Sequence, residues 1–295
     1  MNKPVKSDPL RFGLQPTPVD ERDFQLGAIT TLPNLGDIDP EFLIPLSQKH
    51  QGDSDHCSGN MTTYMSEPQE GVELDENLSF AISKEITGDV DAWGQNLRDA
   101  LKAHVRSTNE LRGALPKSLS PFSLENKSSD FLRDLKNWQL SDVQKDAIHK
   151  HAKRSFFKIT GPYDHFDNAR TSMWKFKSPA GTGVNFGWSL SCKVFDTVPH
   201  GGFGHAMALR GYTILEDGRE VIVFRNSYGK EAGDNGDHYI TREVYNHFAE
   251  KYGHYMFIDI SKEEAKDLLE KGITLDDDWI TDLLKRLWFF FKQWL

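Results

Sequence analysis

Cysteine is scarce. Cys57 and Cys192 are the only two in 295 residues, which permits at most one disulfide, excludes a disulfide scaffold and makes a reducing compartment the default. Positive charge is short as well: 35 lysines and arginines stand against 44 aspartates and glutamates, a net charge of −9. That balance argues against a binder of phosphate backbones, so nucleic acid is not an expected partner. Long apolar runs are missing, the longest being Leu287 to Phe291, so no transmembrane segment is expected. Met1 to Phe12 lacks the apolar stretch of a signal peptide. The spacings that hold metals are missing too: there is no His-Glu-x-x-His and no Cys-x-x-Cys, and His149 and His151 diverge by about 200° on a helix. There is no Gly-x-Ser-x-Gly elbow and no phosphate-binding glycine loop, and neither a metal nor a cofactor is expected. What is present is ordinary for a globular chain: 38% hydrophobic and 27% charged residues with 23 glycines, and length for one large domain or two medium ones.

The texture changes along the chain. Residues 1–45, rich in proline and acidic residues, read as an extended lead-in. Residues 46–160 read as helical: Met61, Tyr64 and Met65 recur at helical spacing from Cys57 to Glu67, and Leu97, Ala100, Leu101, His104 and Val105 share one face. Ser141 with Gln144 makes a capping box that opens a further helix. Residues 161–260 read as β-rich, with Val184 to Trp188, Ala206 to Tyr212 and Glu220 to Phe224 as strands, and Asp217-Gly218 as a hairpin turn between the last two. The plan is α+β and two-lobed. Residues 261–295 read as a helical extension. In it Ile280, Leu283, Leu284, Leu287, Trp288, Phe291, Trp294 and Leu295 form one apolar face over Asp276 to Leu295. That face either packs on its own domain, docks a partner, or lies in a membrane interface.

Cys57 carries the chemistry. It opens its helix behind the polar turn Gly52-Asp53-Ser54-Asp55-His56, and helix N–H groups favour a thiolate, so a lowered thiol pKa is expected. A thiol nucleophile needs a base and a group that orients the base. His205 begins the first hairpin strand and Asn226 ends the second, so antiparallel pairing about Asp217-Gly218 brings them to one end of the sheet. Two other histidines compete as bases, but His56 on a turn beside Cys57 points away and His200 has no strand to fix it.

These residues resemble the papain-like cysteine peptidases. Asn226-Ser227-Tyr228-Gly229, followed by Gly233 to Ile240, is similar to the family's Asn-Ser-Trp-Gly stretch and its trailing glycine-aromatic strand. His205 to Tyr212 is similar to its His-Ala strand, and the Gln51-to-Cys57 spacing matches its oxyanion glutamine. His205 lies inside the expected window of ~130–150 residues from the cysteine and Asn226 beyond it. The segment Phe12 to Pro18 with Glu21-Arg22-Asp23 resembles the short lead-in of prokaryotic and phage-borne members without a prodomain. Ser54, Asp55 and Ser58 depart from the family's Cys-Gly-Ser-Cys-Trp, and Tyr228 stands where a tryptophan shields the His–Asn bond.

The resemblance implies a two-lobed papain-like fold, a Cys57–His205–Asn226 triad acting through an acyl-enzyme, and Gln51 in the oxyanion hole. It also implies a peptide or protein substrate held by Trp93, Gly94, Asp55 and Gly204, and a cytoplasmic or virion-associated protein. Two alternatives use the same residues. One is a catalytically inactive binding or scaffold protein, because the Asp55 carboxylate near the sulfur opposes thiolate formation. The other is an acyl transferase on isopeptide or amide bonds.

Overall fold

A computed structural model describes residues 25–258 apart from 38–39, 43–46 and 123–127, together with residues 14, 15, 17 and 23. The apolar helix expected over 276–295 lies outside the described residues, as does most of the lead-in.

The chain opens with α1 (Leu26–Ile29) and β1 (Glu41–Phe42), followed by the helices α2 (Cys57–Glu70), α3 (Glu76–Thr87), α4 (Leu97–His104), α5 (Ser129–Leu132) and α6 (Asp142–Lys150). The second half holds β2 (Ser155–Lys158), α7 (His165–Phe176), β3 (Ala180–Phe186), β4 (Val194–Phe195), β5 (Phe203–Ile214), β6 (Glu220–Arg225), β7 (Asp237–Thr241), α8 (Arg242–Tyr252) and β8 (His254–Ile258). One sheet gathers the strands in the order β2-β8-β3-β5-β6-β7-β4, with β1 beside β5. All pairings are antiparallel except β4 with β7. The fold is mixed α+β.

The expected helices at Cys57, Leu97 and Ser141 form, the last with both halves of its capping box in place. Three long helices were not foreseen, α3, α7 and α8, and neither were the four-residue helices α1 and α5. In α3 the polar residues Asn77, Ser79, Ser83 and Lys84 are buried along with Leu78, Phe80 and Ile82, so no amphipathic stripe marks it. Its start is set by Asp75, whose side chain accepts from the N–H groups of Asn77 and Leu78 at 2.9 and 3.0 Å. Asp164 caps α7 in the same way, on Asp167 N–H at 2.8 Å. The β-rich second half therefore carries two helices that its composition hides.

Two apolar clusters form among the described residues. The larger joins Cys57, Met61 and Met65 of α2 to the sheet through Ala206, Ala208 and Phe257. The smaller sits among α3, Leu115, Trp138 and Ile148. A buried ion cluster ties the loop before α2 to the helices. Lys49 Nζ lies 2.8 Å from Glu67 and 3.2 Å from Glu76, and donates to Leu74 O at 2.9 Å. Burial by itself would lower the Lys49 pKa, but Glu76 and Glu67 outweigh it and the ammonium is stabilised.

Candidate active site

The sheet brings His205 and Asn226 together by register. His205 faces Val184 across β3–β5, and Ala208 pairs with Arg225, the residue before Asn226. His205 Nε2 and Asn226 Oδ1 are 2.9 Å apart, and Ser227 N–H donates to the same oxygen at 2.8 Å. Backbone bonds hold the asparagine, whose N–H donates to Gly236 O at 2.8 Å and whose carbonyl accepts from Gln48 Nε2 at 2.9 Å. Tyr228 stacks flat on His205, centroids 4.9 Å apart at 12°.

Cys57 is the first residue of α2 and is fully buried against this wall. The N–H groups of Ala206, Ser58 and Cys57 itself face the sulfur and favour its anion, yet burial outweighs them and pushes the thiol up to about 12. Burial likewise pulls His205 down to about 4, partly opposed by the bond to Asn226. This corrects the expected thiolate. The helix terminus acts in the foreseen direction, but desolvation of a buried sulfur exceeds it. Thiol and imidazole are both neutral at pH 7 in this conformation, and among the described residues no hydrogen bond joins them.

Gln51 sits between the two walls. Its Nε2 donates to Ser54 O at 2.7 Å, its Oε1 accepts from the Ser227 hydroxyl, and its N–H donates to Ser227 O at 2.8 Å. The carboxamide is thus oriented with its NH2 group toward the start of α2. Asp55 lies beneath the 91–94 turn, buried, and accepts Gly94 N–H at 2.8 Å. Lys84 Nζ donates to the carbonyls of Ala92 and Gly94, the latter at 2.7 Å. Both backbone polar groups of Gly94 therefore point inward, and Asp55 supports the turn instead of lining the cleft.

Leu14 and Gln15 run from one wall to the other. Leu14 N–H donates to Gly204 O and Gln15 N–H to Gln95 O, each at 2.9 Å, while Gln15 Nε2 donates to Trp93 O at 3.0 Å. Gly204 must be glycine here, since a Cβ would lie 2.1 Å from Leu14 O. A cavity of about 450 Å³ beside this crossing is lined by Trp93, Asn185, Gly202, Gly204 and Tyr252. Of the sequence candidates, then, Gly204 and Trp93 border the crossing and Asp55 does not. The rival base His56 is turned away, its Nδ1 2.8 Å from Asn77 Oδ1 and its ring against Phe80. His200 is exposed, and Cys57 and Cys192 are both free thiols.

Two groups escaped the sequence reading. One is Ser227, whose hydroxyl holds Gln51. The other is His238, whose Nε2 lies 2.9 Å from Asn226 Nδ2. Pairing of β6 with β7 sets Phe224 opposite His238, a register that the strand pattern alone does not give.

The fold is that of the papain-like cysteine proteases. Xylellain, a cysteine protease from Xylella fastidiosa, superposes with a TM-score of 0.63 at 17% identity, over 87% of this chain and 99% of its own. Digestive procathepsin L2 from the larval midgut of Tenebrio molitor gives 0.60 at 17% identity, over 84% and 78%. A procathepsin B from Trypanosoma congolense gives 0.55 at 14%, over 84% and 83%. No family model and no curated protein matches the sequence.

Proposed function

We propose that this protein is a thiol-dependent peptidase that cleaves peptide bonds through Cys57, His205 and Asn226. The observation that carries the reading is the 2.9 Å contact of His205 Nε2 with Asn226 Oδ1 on the wall against which Cys57 opens α2. Asn226 Oδ1 only accepts, so His205 carries its proton on Nε2 and keeps a lone pair on Nδ1. In the reaction Nδ1 takes the Cys57 proton as sulfur attacks the peptide carbonyl. Gln51 Nε2 and the Cys57 N–H stabilise the oxyanion, the imidazolium protonates the leaving amine, and water then hydrolyses the thioester with His205 as base. Gly204 O and Gln95 O, which now accept from Leu14 and Gln15, are the groups an extended substrate would use. Opening the site rehydrates sulfur and imidazole and moves both pKa values back toward ion-pair formation.

The test is turnover of a peptide library with stoichiometric labelling by an epoxide-type thiol inhibitor. Wild-type protein is expected to do both, and Cys57→Ala neither; full activity without Cys57 rejects the reading. One observation favours a second reading, a binding protein on the same fold: Cys57 is completely buried and its thiol stands at about 12. Absence of labelling in folded wild-type protein decides for it. Substrate profiling separates peptide bonds from isopeptide or amide bonds.

A further inference from the structure

We infer that His238 is a positioning residue for this site: it fixes the Asn226 carboxamide so that His205 is held in the tautomer able to accept the Cys57 proton. The inference rests on the peptidase reading for its meaning, and on three consecutive contacts for its logic. His238 Nδ1 lies 2.7 Å from Cys192 O. A carbonyl only accepts, so Nδ1 carries the proton and, in the neutral ring, Nε2 is an acceptor. The group 2.9 Å from that acceptor is then the NH2 of Asn226, which leaves Oδ1 turned toward His205 Nε2 at 2.9 Å. An oxygen there puts the His205 proton on Nε2 and leaves Nδ1 bare. One backbone carbonyl is thus linked through His238 to the state of two imidazoles and of the amide between them, whose oxygen Ser227 N–H also holds.

The His238 ring is packed on two sides. It stacks on Phe195, centroids 4.6 Å apart at 21°, and Phe195 stacks in turn on Trp188 at 3.9 Å and 8°. On another side lies Gly233, where a Cβ would come 2.8 Å from the His238 Nδ1 and Cε1 atoms, and whose φ of +57° suits glycine. Ser227 N–H also donates to Asn226 Oδ1 and favours the same orientation from the oxygen side, while His238 Nε2 supplies the acceptor on the nitrogen side. With that acceptor gone, the Asn226 NH2 loses its partner and a half-turn of the carboxamide, which presents NH2 to His205 and puts its proton on the wrong nitrogen, is opposed by Ser227 N–H alone.

The test uses the full chain with His238→Phe, which keeps an aromatic ring on Phe195 and removes both polar contacts, and His238→Gln, which restores an acceptor for Asn226. His238→Phe is expected to lower kcat by about tenfold or more with KM unchanged, because the base is misdirected while substrate contacts stay. His238→Gln is expected to recover most of that loss at a similar melting temperature. Wild-type kcat in His238→Phe, or no recovery in His238→Gln, overturns the inference. Nitrogen chemical shifts of the imidazoles in wild-type protein decide independently of any variant's folding: a proton on His205 Nε2 and on His238 Nδ1 is expected, and the reverse at either ring overturns it. If wild-type protein shows no Cys57-dependent turnover, the peptidase reading fails, and the tautomer measurement still decides on His238.

Discussion

The two walls of the cleft are built by opposite means. On the sheet wall each polar group from Cys192 O through His238 and Asn226 to His205 meets a partner at 2.7–2.9 Å. On the helix wall Asp55 Oδ1, His56 Nε2, Asn60 Oδ1 and Arg133 Nη1 are buried without a hydrogen-bond partner. They are close without being bonded: Asp55 stands 3.8 Å from His56 and 3.5 Å from Arg133. Strand register fixes side chains to within tenths of an ångström, which suits a group that must present one nitrogen. A helix terminus supplies N–H groups and a field, which suits a sulfur that needs charge stabilisation more than direction. Orientation belongs to the sheet here, while the N–H groups that favour the sulfur anion come from both walls, Ala206 of β5 and Cys57 and Ser58 of α2.

Acid tests that division most severely. Burial holds His205 down to about 4, His104 to about 3 and His254 to about 3. The unfolded chain binds protons on these rings below about pH 6.5 while the folded chain does not, so stability falls as pH drops through that value. Each ring contributes about 1.4 kcal/mol per pH unit, or about 4 kcal/mol per unit for the three near pH 5. Glu70 and Glu76, both held down to about 2 by cationic partners against the opposing effect of burial, stabilise above pH 4.5 and lose that contribution only as pH falls further. Denaturant titrations between pH 8 and pH 4 should show the histidine loss first and the carboxylate loss second. A flat profile down to pH 5 would break the picture of buried, neutral imidazoles on the strands and on α4.

Lys49→Met removes the cation from between Glu67 and Glu76 and leaves their charges buried. A cost of about 3–5 kcal/mol is expected in equilibrium unfolding. Gln51→Ala, at the junction where Ser227 of one wall and Ser54 of the other both hold one carboxamide, is expected to lower kcat by about 10²–10³ with little change in stability. An unchanged kcat would mean that the walls do not meet at Gln51 in the transition state.

Much of the sheet wall was legible because its chemistry is local in sequence. Asp217-Gly218 fixes the hairpin, and the hairpin fixes the distance between His205 and Asn226. The Ser141–Gln144 box and the helix at Cys57 were legible for the same reason. What escaped depends on partners far along the chain. α3 hides because Lys84 and Ser83 are buried against the 92–95 backbone and Gln95, an arrangement no periodicity announces. The role of His238 depends on β7 pairing with β6 and on Cys192 O arriving from before β4. The misjudged thiol shows the same limit, since helix position is visible in sequence while burial is a property of the assembled walls.

The smallest expected effect concerns the ring over His205. Tyr228 stacks on one face of the His205 ring at 4.9 Å, but among the described residues it makes no side-chain hydrogen bond to His205 or Asn226. If orientation on the sheet wall comes from the line of hydrogen bonds, Tyr228→Leu removes an aromatic contact worth about 0.5–1.5 kcal/mol and leaves the tautomer of His205 intact. The melting temperature should fall by a few degrees, kcat should stay within severalfold of wild type, and the nitrogen shifts of His205 should not change state. A loss in kcat as large as that of His238→Phe would transfer the orienting role from the hydrogen-bond line to the stacked ring.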